Sequence, residues 1–281
     1  MSGAARPSAW SRIRRIALLA GSVLLVGYVA FPILWLARLS ILPETLLIEL
    51  PPVWLFTPSW AGYREVLTLH PFARYLQNSL VVAVCSSAGA IAIGLPAAYS
   101  FVRFRYHGRE SLSLAVLCVH VMPPIAMIIP LYVIYLHLGL LDTRVGLIVT
   151  HISLTLPLSV WLLRGFVLRV PVELEEAAQV DGCGRLGALW RVVIPIMAPG
   201  IAATAVLTFL YSWNDFIYAV ILTGRGARTL PVMISGFITE RAVYWDRVAA
   251  AGMLVLLPTA ILGVLVQRYL ATGLAAGAVK G

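Results

Sequence analysis

The sequence predicts an all-α polytopic membrane protein with six transmembrane helices. Three observations carry that expectation. The residues AVILMFWYC make up 60% of the 281 before the 22 glycines are counted, against roughly 45–50% with glycine included in a soluble domain. Charged residues are only 12%, about half the ordinary share. The apolar residues also come in long uncharged blocks, not in short alternating strands. A globule of this size could not hide so much apolar surface from water, and the same abundance excludes disorder.

The gaps between charges define each element. Ile16–Ala37 is 22 residues without a charge, preceded by Arg12, Arg14 and Arg15. It is longer than a signal-peptide core, and Arg38 follows with no small-residue cleavage site, so it reads as a retained first span. Tyr75–Val102 holds the second span. Ser111–Leu141 holds the third, interrupted by Pro123, Pro124 and Pro130. Val145–Leu163 is the fourth, Val192–Asn214 begins the fifth, and Val248–Gln267 is the sixth. The fifth must continue past Asp215 to about Leu222. Each block can cross a hydrocarbon core of ~30 Å, which takes ~20 helical residues. Prolines in such a helix bend it where the freed carbonyls face protein or a cavity, either lining a path or serving as a packing kink.

Charge sets the expected orientation. Of 21 Lys+Arg, 13 fall in segments on the amino-terminal side, with five acids. The opposite side has eight basic and seven acidic residues. Basic excess marks the cytoplasmic face, so both termini are expected inside. The domain reading is a cytoplasmic amino terminus at 1–15, a six-span domain at 16–266 with a cytoplasmic loop at 164–195, and a cytoplasmic tail at 267–281. The net charge of +9 is a topology signal, because no aromatic-basic stripe suggests nucleic acid. Cys85, Cys118 and Cys183 lack metal or disulfide spacing and read as free thiols. His120, His137 and His151 lie on two spans without a carboxylate cluster, so helix contacts or interfacial positions explain them better than a metal. The 38–74 connection, rich in proline and aromatics, is long enough to pack as a lid or docking surface.

The loop between spans four and five carries the most information. In Val170-Pro171-Val172-Glu173-Leu174-Glu175-Glu176-Ala177-Ala178-Gln179-Val180-Asp181-Gly182, proline suits a first helical turn and acids there complement the dipole. Gly182 can close the helix in left-handed geometry. Leu174, Ala177, Ala178 and Asp181 share one side, a knob able to present its alanines to a partner. Arg185–Ile194 can form a second short helix before Pro195.

Glu176-Ala177-Ala178, three residues, Gly182, nine residues and Val192-Val193-Ile194-Pro195 together resemble the signature loop of permease subunits of binding-protein-dependent ABC importers. Asn78-Ser79, Trp213-Asn214-Asp215-Phe216, Thr229-Leu230-Pro231-Val232 and Gln267-Arg268-Tyr269 extend the resemblance over most of the chain. The tail, Gly273 to Gly281, resembles the carbohydrate branch, the second permease of maltose and glycerol-phosphate type systems. Ala275 stands where that branch usually has threonine.

The resemblance implies a type I importer permease fold and half of a translocation path for a sugar or sugar-like solute. It assigns Glu176, Ala177, Ala178, Asp181 and Gly182 to an ATPase-coupling helix, and brings Gly277 and Lys280 near the interface between two ATPases. The implied partners are a second homologous permease, two cytoplasmic ATPase subunits, an extracytoplasmic solute-binding protein and the lipid bilayer. The implied location is the bacterial inner membrane. No Gly-x-x-x-x-Gly-Lys-[Ser/Thr] loop is present, so ATP and magnesium are expected on the partner ATPases and no cofactor on this chain, which is read as non-catalytic. Tyr211, Trp213, Asn214 and Asp215, at membrane depth, are candidates for the path or its gating, because a buried intramembrane carboxylate is functional by default. Asp215 could pair with an arginine or reach the interface. An ion-coupled secondary transporter is the alternative, although it would leave the 172–182 loop unexplained.

Overall fold

The computed structural model describes residues 9–278 apart from His70, Val121 and Arg241, with side chains from 10 to 264 apart from 11–14, 119 and 120. The chain divides into two compact units, 1–70 with 237–254, and 71–236 with 255–281. Among the described residues the only β pairing is the isolated antiparallel bridge Ile238–Val243. Among the described residues, five helices are long and apolar enough to cross a membrane: Arg15–Ser40, Phe72–Arg103, Arg144–Val167, Arg185–Asn214 and Trp245–Val264.

In the first unit, α1 (Ala9–Ser40) exposes most of its apolar side chains, as a helix facing lipid should. A 3-10 turn at Glu44–Leu46 and the short helix α2 (Ala61–Thr68) follow. Ser40 receives a hydrogen bond from the Tyr63 hydroxyl at 2.9 Å, which draws α2 toward the end of α1. A Cβ on Gly62 would lie 3.0 Å from the Asp246 carbonyl, so glycine permits that close approach. Arg247 pairs with Glu65 beside it.

The second unit is built around α3 (Phe72–Arg103), α6 (Arg144–Val167) and α9 (Ile194–Asn214). Small residues let these helices meet, the usual solution where no hydrophobic effect drives helices together. A Cβ on Gly94 of α3 would stand 3.1 Å from the Ser159 Cβ of α6. A Cβ on Gly200 of α9 would collide with the Phe166 ring. Leu95, Tyr99, Leu163, Val167, Val193 and Met197 form the core near the carboxyl end of α3.

Two expected spans differ from their prediction. The third is not one bent helix but α4 (Arg109–His120) followed by α5 (Pro124–Leu138), which at 15 residues is short for a crossing. Each proline of the Pro123-Pro124 pair pushes the residue before it out of helical geometry. Pro123 accordingly sits at φ −64°, ψ 130°, and Pro124 opens α5. The helix ends at Gly139, φ +65°, and Thr143 then caps α6 by accepting the Gly146 amide at 3.0 Å. The fifth span breaks at Asp215, φ −65°, ψ 128°, and resumes as the six-residue α10 (Ile217–Leu222).

The 164–195 loop folds into α7 (Val172–Val180) and α8 (Arg185–Ala188). Pro171 is the cap before α7, not a member of its first turn. Nor is the second short helix separate, because α8 runs into α9 through a π turn at Leu189–Val193, where the Ile194 amide reaches Leu189. Pro195 has no N–H and crowds the carbonyl four residues back, and widening the preceding turn accommodates it. After α11 (Leu230–Ser235), α12 (Trp245–Ala278) is the last helix among the described residues.

Candidate functional site

Helix α7 is fastened by one side and free on the other. Glu175 is buried, and both its oxygens are used: Tyr99 donates to Oε2 at 2.7 Å and Arg103 Nε donates to Oε1 at 2.7 Å. The same guanidinium donates to the carbonyl of Val170 at 2.6 Å and that of Val167 at 3.3 Å. Arg103 thus clamps the end of α6 and the inner side of α7 onto α3. Hydrogen bonds to a charged group are worth about 1.5–3 kcal/mol each, enough to hold a nine-residue helix that would not persist alone.

The carboxyl end of α7 is equally defined. Gly182 has φ +88°, the Cys183 amide bonds to Ala178 at 2.9 Å, and the Gly182 amide bonds to Gln179 at 3.1 Å. This is a Schellman closure. Nothing lies within 4 Å of a Cβ built on Gly182, so backbone conformation, not space, demands glycine there. Glu176, Ala177, Asp181 and Gly182 face outward, and Ala178 is half-buried. Val180, 88% exposed, and Leu186, 72% exposed, add apolar surface next to them. The loop offers a preformed projection with a small-residue centre. Glu175 itself was legible only as a helix-dipole acid, since its anchors stand 72 and 76 residues away.

A second cluster lies where the fifth span breaks. His151 is completely buried, with Nδ1 2.6 Å from Ser212 Oγ and Nε2 3.2 Å from Asp215 Oδ2. Ser86 donates to Ser212 at 3.0 Å, and the Ala219 amide donates to Asp215 Oδ2 at 3.0 Å. One tautomer satisfies the whole chain: Ser86 to Ser212, Ser212 to Nδ1, then Nε2–H to the carboxylate. Asp215 therefore caps α10 and pairs with His151, not with an arginine.

The residues flanking Asp215 separate. Trp213 is 1% exposed, stacks on Phe209 with centroids 5.6 Å apart, and donates to the Val255 carbonyl. It is a packing residue in this conformation. Tyr218 is buried too. Asn214 is exposed and donates to the Leu210 carbonyl of its own helix at 2.8 Å. Tyr211 is partly exposed. His137 is exposed, the side chain of His120 lies outside the described residues, and so does Lys280, while Gly277 lies in the helix α12. Among the described residues no group of three metal-ligating side chains comes together, and the three cysteines are free.

The other end of α3 explains two further motifs. Asn78 donates to the carbonyls of Gly226 and Arg228 at 3.1 and 2.8 Å, while Arg144 donates to its Oδ1 at 2.7 Å. Ser79 accepts the Leu230 amide at 2.9 Å. Asn78-Ser79 and Thr229-Leu230 are thus two sides of one latch. Asp142 completes it by accepting the amides of Gly224, Gly226 and Ala227 at 2.8 to 2.9 Å. Partial desolvation would raise its pKa, but the backbone donors together outweigh that and hold it below the ordinary value.

Long apolar helices, one of them broken at Asp215, carry a short loop helix anchored through Glu175, the arrangement of a multi-helix membrane subunit. Residues 90–275 match the model of the binding-protein-dependent transport system inner membrane component, and the chain belongs to that family: it is a permease subunit of an ABC importer. It is 34% identical to the diacetylchitobiose uptake system permease protein DasC of Streptomyces coelicolor, over 92% of this chain and 94% of that protein. It is 32% identical to the trehalose/maltose transport system permease protein MalG of Thermococcus litoralis, over 96% and 98%. A solved bacterial ABC transporter involved in import of the acidic polysaccharide alginate shares the fold. That chain is 22% identical with a TM-score of 0.77, covering 95% of this chain and 99% of the other.

Proposed function

We propose that this subunit forms one half of the path of an ATP-driven importer for a sugar or sugar-like solute in the bacterial inner membrane. It would pair with a second homologous permease, two cytoplasmic ATPases and an extracytoplasmic solute-binding protein. The observation that carries the coupling role is α7: anchored inward through Glu175, closed by Gly182, and bare at Ala177. ATP and magnesium belong to the ATPases, whose closure would push α7 and switch the helices between two packings. An apolar cavity of about 740 Å³ between α3 and α9, lined by Ala88, Ala92, Ala205 and Phe209 among others, suits the partner permease. Six crossings, with α4 and α5 together making the third, and both termini inside fit the arginine distribution. Asp215 and His151 serve the geometry of the broken helix in preference to solute recognition. The ion-coupled alternative loses its support, because family membership accounts for the loop it left unexplained.

The sugar assignment draws on the similar permeases of diacetylchitobiose and trehalose/maltose systems. Uptake by the reconstituted complex with its receptor tests it, using labelled disaccharides alongside labelled amino acids. Saturable, ATP-dependent uptake of a saccharide is expected. Saturable uptake of an amino acid with no saccharide competing would overturn the sugar reading while leaving the permease intact.

A further inference from the structure

The segment after α1 carries four apolar side chains that nothing in its own unit covers. Leu50 is 90% exposed, Leu55 93%, and Ile48 and Trp54 are exposed as well. Its depth can be read from Arg38. The uncharged run of α1 ends at Ala37, so the Arg38 guanidinium marks the level at which the bilayer core gives way to headgroups. The segment folds back onto that group. Arg38 donates to the Val53 carbonyl, and its guanidinium lies 4.9, 5.3 and 5.6 Å from the ring centroids of Trp35, Trp54 and Phe56. The rings also continue the lipid-facing surface of α1: Phe31 stacks on Trp35 at 6.0 Å, and Trp54 meets Trp35 edge-on at 6.1 Å.

From this geometry we infer that residues 48–55 form an interfacial anchor, resting on the headgroup–acyl boundary of the leaflet at the carboxyl end of α1. Tryptophan suits that boundary, with an apolar body and an N–H that can reach polar headgroups. Non-helical backbone is costly near lipid because its amides need partners. The adjacent Pro51 and Pro52 carry no N–H, which removes two of those donors. Glu49, exposed beside Leu50, keeps the segment from sinking into hydrocarbon and fixes it at the surface. The anchor belongs to the bilayer contact of α1 and does not depend on the solute carried.

Site-directed spin labelling of the complete transporter in lipid nanodiscs tests the inference, with the three native cysteines replaced by alanine. Labels go on Leu50→Cys and Leu55→Cys, with Val26→Cys on exposed mid-α1 as the hydrocarbon reference and Glu240→Cys as the aqueous reference. The ratio of collisions with oxygen to those with a water-soluble nickel chelate should be several-fold above the Glu240 value, below the Val26 value, and unchanged by the solute-binding protein. A ratio equal to that at Glu240 would overturn the anchor. So would protection from both quenchers, which marks burial against a protein, or protection that begins when the receptor is added.

Discussion

Helix α7 and the break at Asp215 are both organised by a buried carboxylate, and they use it differently. Glu175 faces a guanidinium and a phenol from α3, with no bond spent on its own helix terminus. It attaches a whole element and leaves the opposite face free for a partner. Asp215 faces an imidazole from α6 and an amide from the first turn of α10. It joins two segments of one span and presents nothing outward. The first arrangement suits transmission of force through a rigid body. The second suits a joint whose two helical pieces keep separate directions.

Removing Arg103 separates the two most sharply. Arg103→Ala leaves the Glu175 carboxylate buried without its cation, a loss of about 3–5 kcal/mol for a broken buried pair. The expected outcome is loss of hydrogen-exchange protection across α7, with uptake abolished while α9 and α10 stay protected. His151→Ala should cost less, about 1–3 kcal/mol for an unpaired buried polar group. Its lost protection should centre on α10 and spare α7. Equal loss at both sites from either variant would mean one cooperative unit instead of two devices.

Smaller still is the closure of α7. A side chain at φ +88° costs roughly 1–2 kcal/mol for most residues and less for asparagine. Gly182→Val should therefore lower receptor-stimulated ATP hydrolysis several-fold, and Gly182→Asn should retain most of it. If both variants fail alike, contact with the partner at that position, not backbone geometry, demands the glycine.

These differences also explain what the sequence could reveal. The limits of α7, its Gly182 closure and its outward Ala177 follow from residues within one turn of one another, so local pattern displayed them. Five of the six expected spans were legible because long uncharged runs of composition mark them. The anchors of Glu175, the Ser86–Ser212–His151–Asp215 chain and the Asp142 latch join residues 61 to 126 positions apart, and no local period reports such pairs. Asp215 and His151 were each visible as intramembrane polar residues, but their pairing needed the helices packed. The Pro123-Pro124 pair announced a disturbance, and the structure makes it a break because two successive prolines forbid the intervening backbone from continuing the helix.

Coupling through the free face of α7 is tested most directly by disulfide or short-linker crosslinking in the assembled complex. One cysteine goes at Ala177, with Val133→Cys on the exposed side of α5 as the comparison. The expected product is an ATPase-subunit adduct from Ala177→Cys, changing in yield between nucleotide-free and ATP-bound states, and none from Val133→Cys. An intact, transporting complex that gives no ATPase adduct from Ala177→Cys, in either nucleotide state, would contradict the coupling role assigned to α7.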